Sequence, residues 1–487
     1  MSTYNRVVAA DETTFSLAPA VRTQLAAELA DSTSEVGGAL VALAQHVSVR
    51  DYGVTSDGTT DDTTNFQAAW NAAATAGLPL ILEPNTTVMV DAITIPDGGR
   101  LNLNGSTIKK TAATGTAMLT GLTVSDIEIW GGTLDGDKAS YAATTEWRHG
   151  IDLRDCANIN LHNLSSTLNK GDGIYIGASG TAHCSNVTLT NVTCPANHRN
   201  GMSVTAVSGL TATACLFESS SGTRPMSGVD IEPNAGNILC ENITLMSCVF
   251  ADNVNYGFLA AFPAAPTVHQ GNINLIGCTS KNNGTDATAY INGVMLTGVD
   301  DFTMVGGSVS GSGGSGIVTG AGACSRVNIT NVDIRDNAKA GIQLTSPTVG
   351  LNVAGCTFTN NGTEAANAYS AVIFQTGAGT ADIIFSGNRV EATTHQYGLR
   401  TNSNVTKLTL IGNTWAGMTA PTYLFDTIST RTELDGGLFL RPHWAISTAG
   451  RPTAASVGRP SQVYDTTLNK PIWSDGTNWR DAAGTIV

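Results

Sequence analysis

Residues 187–194 read VTLTNVTC, and residues 243–250 read ITLMSCVF. Apolar and polar side chains alternate in both, so each reads as a strand with one face buried and one face out. The pattern recurs along most of the chain. Its first residues are Leu101, Ile127, Ile159, Val187, Leu210, Ile243, Ile273, Phe302, Val327, Leu351, Ile383 and Leu408, a mean step of about 28 residues. A second set is interleaved with the first: GIDL from Gly150, GIYI from Gly173, GMSV from Gly201, GVDI from Gly228 and GFLA from Gly257, then segments from Gly293, Gly316, Gly341, Ala371 and Gly398. A glycine held at one phase of a repeat implies a special backbone angle or a close approach at that corner.

A coil of this length cannot bury its apolar face alone, but coils stacked in register bury it continuously. Strands then pair in parallel with the coils above and below, at about 4.8 Å per step. The expected fold is all-β: a right-handed parallel β-helix of about a dozen coils. The cysteines fit the same register. Cys215, Cys248, Cys278 and Cys356 share one phase of the repeat, and Cys156, Cys184, Cys240 and Cys324 share another. Equal phase means equal place in the coil, which predicts interior ladders of free thiols rather than a disulfide framework.

Composition agrees. Charged residues make up 13% of the chain, against about 25% in an average protein, and Gly, Thr, Ser and Asn take their place. That mixture favours strands joined by tight turns. Acidic residues outnumber basic ones 39 to 25, for a formal charge of −14. The balance argues against a nucleic-acid footprint. No run is apolar for long enough to span a bilayer, and the opening MSTYNRVVAADETTF lacks the pattern of a signal peptide. No membrane partner is expected. The cysteines show no CxxC spacing, so no metal or cofactor is expected either.

The flanks differ from the repeat. Residues 1–47 contain an Ala- and Leu-rich stretch with helical spacing, which reads as a helical stalk, a docking segment or a partly ordered tail. From Val49 the chain reads VRDYGVTSDGTTDDTTNFQAAWNAAATAGLPLILEPNTTVMV. Asp62 or Thr63 can cap a helix over about Thr64 to Ala76, with strands at Leu78–Leu82 and Thr87–Val90. Such a helix would cover the open end of the first coil. The repeat fades after Trp415. The expected organisation is an N-terminal segment over 1–47, the β-helix over 48–420, a transition over 421–448 that also serves trimer contact, and a small β module over 449–487.

The stretch from Val49 to Val90 resembles the opening of the pectate-lyase-like β-helix superfamily. The resemblance rests on Tyr52-Gly53-Val54, Asp57-Gly58, Asp61-Asp62-Thr63, Phe66-Gln67-Ala68-Ala69 and Leu80–Pro84, in that order. Within the superfamily the chain is most similar to bacteriophage tailspikes and capsule depolymerases, through its N-terminal stretch, its GVDIEP coil at Gly228–Pro233 and its terminal YDTTLNKPIWSDGTNW. The resemblance implies a homotrimer in the virion tail, attached to a tail or baseplate protein through its N-terminus. It also implies recognition, and possible cleavage, of a bacterial surface polysaccharide.

Strand alternation selects the candidate site. With Val229 and Ile231 facing inward, Asp230 and Glu232 face out, about 6.6–7 Å apart along the strand. By phase, Asp152 and Arg154 match Asp230 and Glu232, and Tyr175 matches Asp230. His149 and Asp172 stand just before the glycine corner, His198 and Arg199 enter the same coil region, and Trp147 lies at its edge. The matching later positions, Met295, Val318, Gln343 and Ile373, offer little chemistry. Glycoside hydrolysis needs two carboxyl groups, and Asp230, Glu232, Asp172 and Asp152 are the candidates. His198, Arg199, Tyr175, Trp147, His149 and Arg154 are the expected substrate-binding residues, with Tyr175 or Trp147 stacking on a sugar ring. A lyase using His198, Arg199 and Arg154, and a spike that binds without cleaving, remain open readings. So does plain solvation of the rod by these charges. Asp57, Asp61 and Asp62 resemble a calcium cluster, but turn and cap roles explain them better.

Overall fold

In the computed structural model, the described residues are 45–487, apart from 143–145, 265, 287–290, 365–368, 375–379, 392–396, 402–404, 418–422, 426–427, 435–444 and 458–460. The expected N-terminal helical segment therefore lies almost wholly outside them.

The repeat folds as its register requires. Each coil contributes one strand to a long all-parallel sheet running from Ile93–Thr94 to Tyr423–Phe425, with 13 strands among the described residues. The other strands of each coil, such as Cys240–Met246 and Val249–Ala251, stack into a second, 26-stranded parallel array. Landmark residues pair directly: Ile127 with Ile159, Ile159 with Val187, Val187 with Leu210, Leu210 with Ile243, and Ile243 with Ile273. Their side chains form one continuous core from Val49 to Leu410. Parallel pairing runs past the fading of the repeat, since Leu399 pairs with Tyr423 and Val405 with Ile428.

The glycine corner is a close approach, not an unusual dihedral. A Cβ on Gly173, Gly201 or Gly228 would sit 2.6 Å from the carbonyl oxygen of Gly201, Gly228 or Gly257 in the next coil. Any side chain there would push neighbouring coils apart. The Asn content has two uses. Asn158, Asn186, Asn242 and Asn272 take the left-handed conformation at turns. Buried asparagines also bond coil to coil, Asn169 to Asn197 at 2.9 Å and Asn253 to Asn283 at 2.9 Å, satisfying polar groups where the chain turns inside the rod.

Nine cysteines are buried and unpaired, as the ladder reading requires. The capping helix spans Thr63–Thr75 and buries Phe66, Ala69, Trp70 and Ala73 against the first coils. Asp62 does not cap it through its side chain. Its carboxylate instead accepts from the amides of Thr55 (2.8 Å) and Ser56 (3.0 Å), and Asp57 accepts from those of Thr59 and Thr60. These carboxylates are occupied as turn acceptors. At the far end, Ser461–Asp465, Lys470–Ser474 and Trp479–Arg480 form antiparallel strands over a small core of Ala454, Val463, Ile472 and Trp479. No helix among the described residues is long and apolar enough to cross a membrane.

Candidate functional site

The 13-stranded sheet carries a ladder in which Asp152 pairs with Tyr175, Tyr175 with Ser203, Ser203 with Asp230, and Asp230 with Leu259. Val229 and Ile231, on either side of Asp230, point into the core, which turns the Asp230 carboxyl outward. Later rungs are Met295, Val318, Gln343 and Ile373. Val318 and Ile373 are themselves buried, while Met295 and Gln343 are half-buried, so the outer strip of the later coils is partly covered.

A cleft of about 120 Å³ opens over the middle of this ladder. Asp230, Ser203 and Tyr175 line it from the sheet, Thr205 from just past the Met202–Val204 strand, and Glu232 and Asn234 from the turn that follows Asp230. Glu146, Trp147, His149 and Arg199 close it from the turns beside the sheet. The volume is below the roughly 300–1,000 Å³ of a drug-sized site, so any larger ligand would extend beyond it over the surface.

Asp230 is 2% exposed. Its Oδ2 accepts from Asn200 Nδ2 at 3.1 Å, and its Oδ1 has no hydrogen-bond partner. Burial, with Glu232 adding repulsion, pushes its pKa up to about 8. At neutral pH it is a carboxylic acid whose proton is free to be given away. Glu232 is exposed at the mouth of the same cleft.

Asp172 is fully buried beneath this floor. It accepts from Arg199 at 3.1 and 3.3 Å and from the Asn200 amide at 3.0 Å. Arg199 also donates to Ser203 Oγ at 3.1 Å, and Asn200 Nδ2 reaches Ser203 Oγ at 3.0 Å. Asp172 thus fixes Arg199 and Asn200, which support Asp230, but it does not itself line the cleft.

The ring of His149 is buried, stacked on Tyr175 at 5.0 Å and edge-on to Trp147 at 6.2 Å. Its Nδ1 lies 3.4 Å from Asp172 Oδ2, an ion-pair distance if the ring were charged. The Asp172 amide, however, donates to that same Nδ1 at 3.0 Å, and burial pushes the imidazole pKa down. Nδ1 is therefore an acceptor, the ring is neutral, and the proton sits on Nε2, which has no hydrogen-bond partner.

Several expected residues take other places. Asp152 is buried in a two-bond pair with Arg154 at 2.9 and 3.0 Å, and neither lines the cleft. The Arg154 guanidinium sits 5.3 Å from the Trp147 ring and 5.0 Å from the Tyr175 ring, so it braces the aromatic wall. Tyr175 cannot stack on a sugar: it is 6% exposed, contacts His149 and Arg154 through its ring, and bonds Thr205 Oγ1 at 2.9 Å. Trp147, 56% exposed, keeps that capacity. His198 lies off the cleft, its ring over Gly222, with its pKa lowered by burial and by Lys170 and Lys138. Glu146, Ser203, Thr205 and Asn234 were not singled out in the sequence. Ser203 was reachable by phase, because it is the rung between Tyr175 and Asp230, whereas Glu146 sits in a turn outside the repeat.

No group of three or more His, Cys, Asp or Glu among the described residues has the geometry to hold a metal ion. A family model described as "Right handed beta helix region" matches residues 85–228 and 122–298. The fold is a right-handed parallel β-helix. Tailspike protein 3 of bacteriophage CBA120 is similar over 97% of this chain and 77% of its own, with 17% identity and a TM-score of 0.58. The A-module of the mannuronan C-5 epimerase AlgE6 of Azotobacter vinelandii is similar over 79% of this chain and 99% of its own, with 18% identity and a TM-score of 0.51. In sequence, the uncharacterized protein YclG of Bacillus subtilis (strain 168) is 23% identical over 390 residues, 71% of this chain. The chain spans 62% of that relative's length.

Proposed function

We propose that the protein is a phage tailspike that binds a bacterial surface polysaccharide and cleaves it by glycoside hydrolysis. The observation that carries this reading is Asp230, a buried carboxyl kept protonated at neutral pH, with one oxygen unpartnered, lining a cleft that also holds the exposed Glu232. Enzymes tune one carboxyl upward in this way when it is to act as an acid beside an ionised partner.

In the proposed reaction, the glycosidic oxygen takes the proton from Asp230 Oδ1 as the bond from the anomeric carbon to that oxygen breaks. A water held by Glu232 gives its proton to that carboxylate and forms the new bond to the anomeric carbon. Arg199, Asn200 and Asp172 hold the acid in place. Trp147 offers an aromatic face to the sugar.

The role in a virion draws support from the likeness to a phage tailspike across nearly the full chain. By the same likeness we propose a homotrimer, attached to the tail through residues 1–47. Incubation with purified capsule or O-antigen, followed by assay of new reducing ends, tests the reading. Products absorbing as unsaturated uronates would replace hydrolysis by elimination. Binding without release would leave a receptor spike.

A further inference from the structure

The charges around the cleft do not balance, and the imbalance bears on what the cleft accepts. Two exposed carboxylates, Glu146 and Glu232, stand at its rim. The cation that lines it, Arg199, is committed to the buried carboxylate of Asp172, and its Nε is 3.9 Å from Glu146. Arg154 is committed to Asp152. His149 carries no charge, since Nδ1 accepts the Asp172 amide. Among the residues lining the cleft Arg199 is the one cation, and Asp172 balances its charge; its buried Nε–H, which has no hydrogen-bond partner, adds a donor but no net positive charge, and a carboxylate on the ligand would face two others.

The floor nonetheless wants an oxygen. The Nε2–H of His149 is buried and lacks a partner, an unfavourable condition that an oxygen of a ligand would relieve. The rim offers acceptors in Glu146 and Glu232. A donor within and acceptors at the mouth match hydroxyl groups, which accept one hydrogen bond and give another.

Resting on the polysaccharide reading above, we propose that the cleft takes an uncharged hexose-type unit, one of whose oxygens accepts from His149 Nε2, and that it rejects uronate units. His149 is then a specificity-determining residue: a neutral donor where a uronate site would place a cation.

The test uses the full chain and three sets of oligosaccharides in titration calorimetry, alongside purified surface polysaccharides. The sets are neutral (from mannan, galactan and glucan), uronate (from alginate and polygalacturonate) and cationic (from chitosan). We expect binding to a neutral member, changing less than about twofold between low and high salt because no net charge is neutralised. We also expect His149→Phe, which keeps the ring stack on Tyr175, to weaken that binding roughly tenfold. Tightest binding to a uronate or chitosan set, weakening steeply with salt, would overturn the uncharged unit while leaving a polysaccharide-binding protein. Binding to none of the sugars overturns both. The salt series on the unaltered protein decides the charge question even where His149→Phe fails to fold.

Discussion

The side-chain amide of Asn200 donates to one oxygen of Asp230 and leaves the other buried without a partner, in a residue that lines the cleft. That division gives the buried carboxyl one anchored end and one working end. Asp230→Asn keeps the shape and removes the transferable proton. Turnover should fall by about 10²–10⁴-fold, with sugar binding retained. Reducing-end assays and calorimetry on the same preparation check both halves.

The pKa of about 8 also fixes a pH dependence. As a general acid Asp230 works protonated, so the rate should decline as pH rises through about 8. Stability follows the same proton. The folded state holds it from about pH 4 to 8 while the unfolded chain, at the ordinary value of 3.8, does not. Folding therefore loses stability as pH rises across that window. Asp230→Asn should melt at a higher temperature than the parent protein at pH 9, and at nearly the same temperature at pH 4. Melting curves at the two pH values test the sign.

Arg199→Ala would leave Asp172 buried without its cation. Removing one partner of a buried pair costs about 3–5 kcal/mol. We expect a large fall in the denaturation midpoint, with Arg199→Lys falling between the parent and the alanine variant because an ammonium keeps the charge but not the planar guanidinium geometry.

Trp147→Ala removes an exposed ring from the mouth of the cleft. The melting temperature should hardly move, and Kd for the sugar should rise two- to tenfold, about 0.5–1.5 kcal/mol. An unchanged Kd would remove Trp147 from the binding surface.

The thiols offer a check on the fold itself. Nine cysteines are buried, and burial raises the Cys240 thiol to about 12. A thiol reagent should react slowly with the native protein and count nine groups after denaturation. Fewer would mean disulfides and an altered coil register.

The rod was readable because its signal repeats. Ile243 is the landmark of its coil by phase, and the same phase pairs it with Leu210 and Ile273. Asp230 was readable for the same reason, since its neighbours Val229 and Ile231 had to face inward. Phase gives the direction of a side chain but not what lies above it. Tyr175 and Asp152 share the ladder with Asp230, yet His149 from one of the turns beside the sheet and Arg154 from the end of the Ile151–Arg154 strand cover them. Those turns differ in length from coil to coil and carry no period. Glu146 enters the cleft from one of them, which is why alternation could not find it.

The ladder from Asp152 through Tyr175 and Ser203 to Asp230 places one outward residue per coil at a fixed rise. Neighbouring rungs share backbone hydrogen bonds but take their outward side chains from stretches of chain some 23–28 residues apart. One rung can be exchanged without re-threading the next, and a whole coil inserted or removed would slide the acid relative to the aromatic wall by one step. The groove is in effect a ruled scale along which recognition can be retuned tooth by tooth, while the interior that carries it stays as it is.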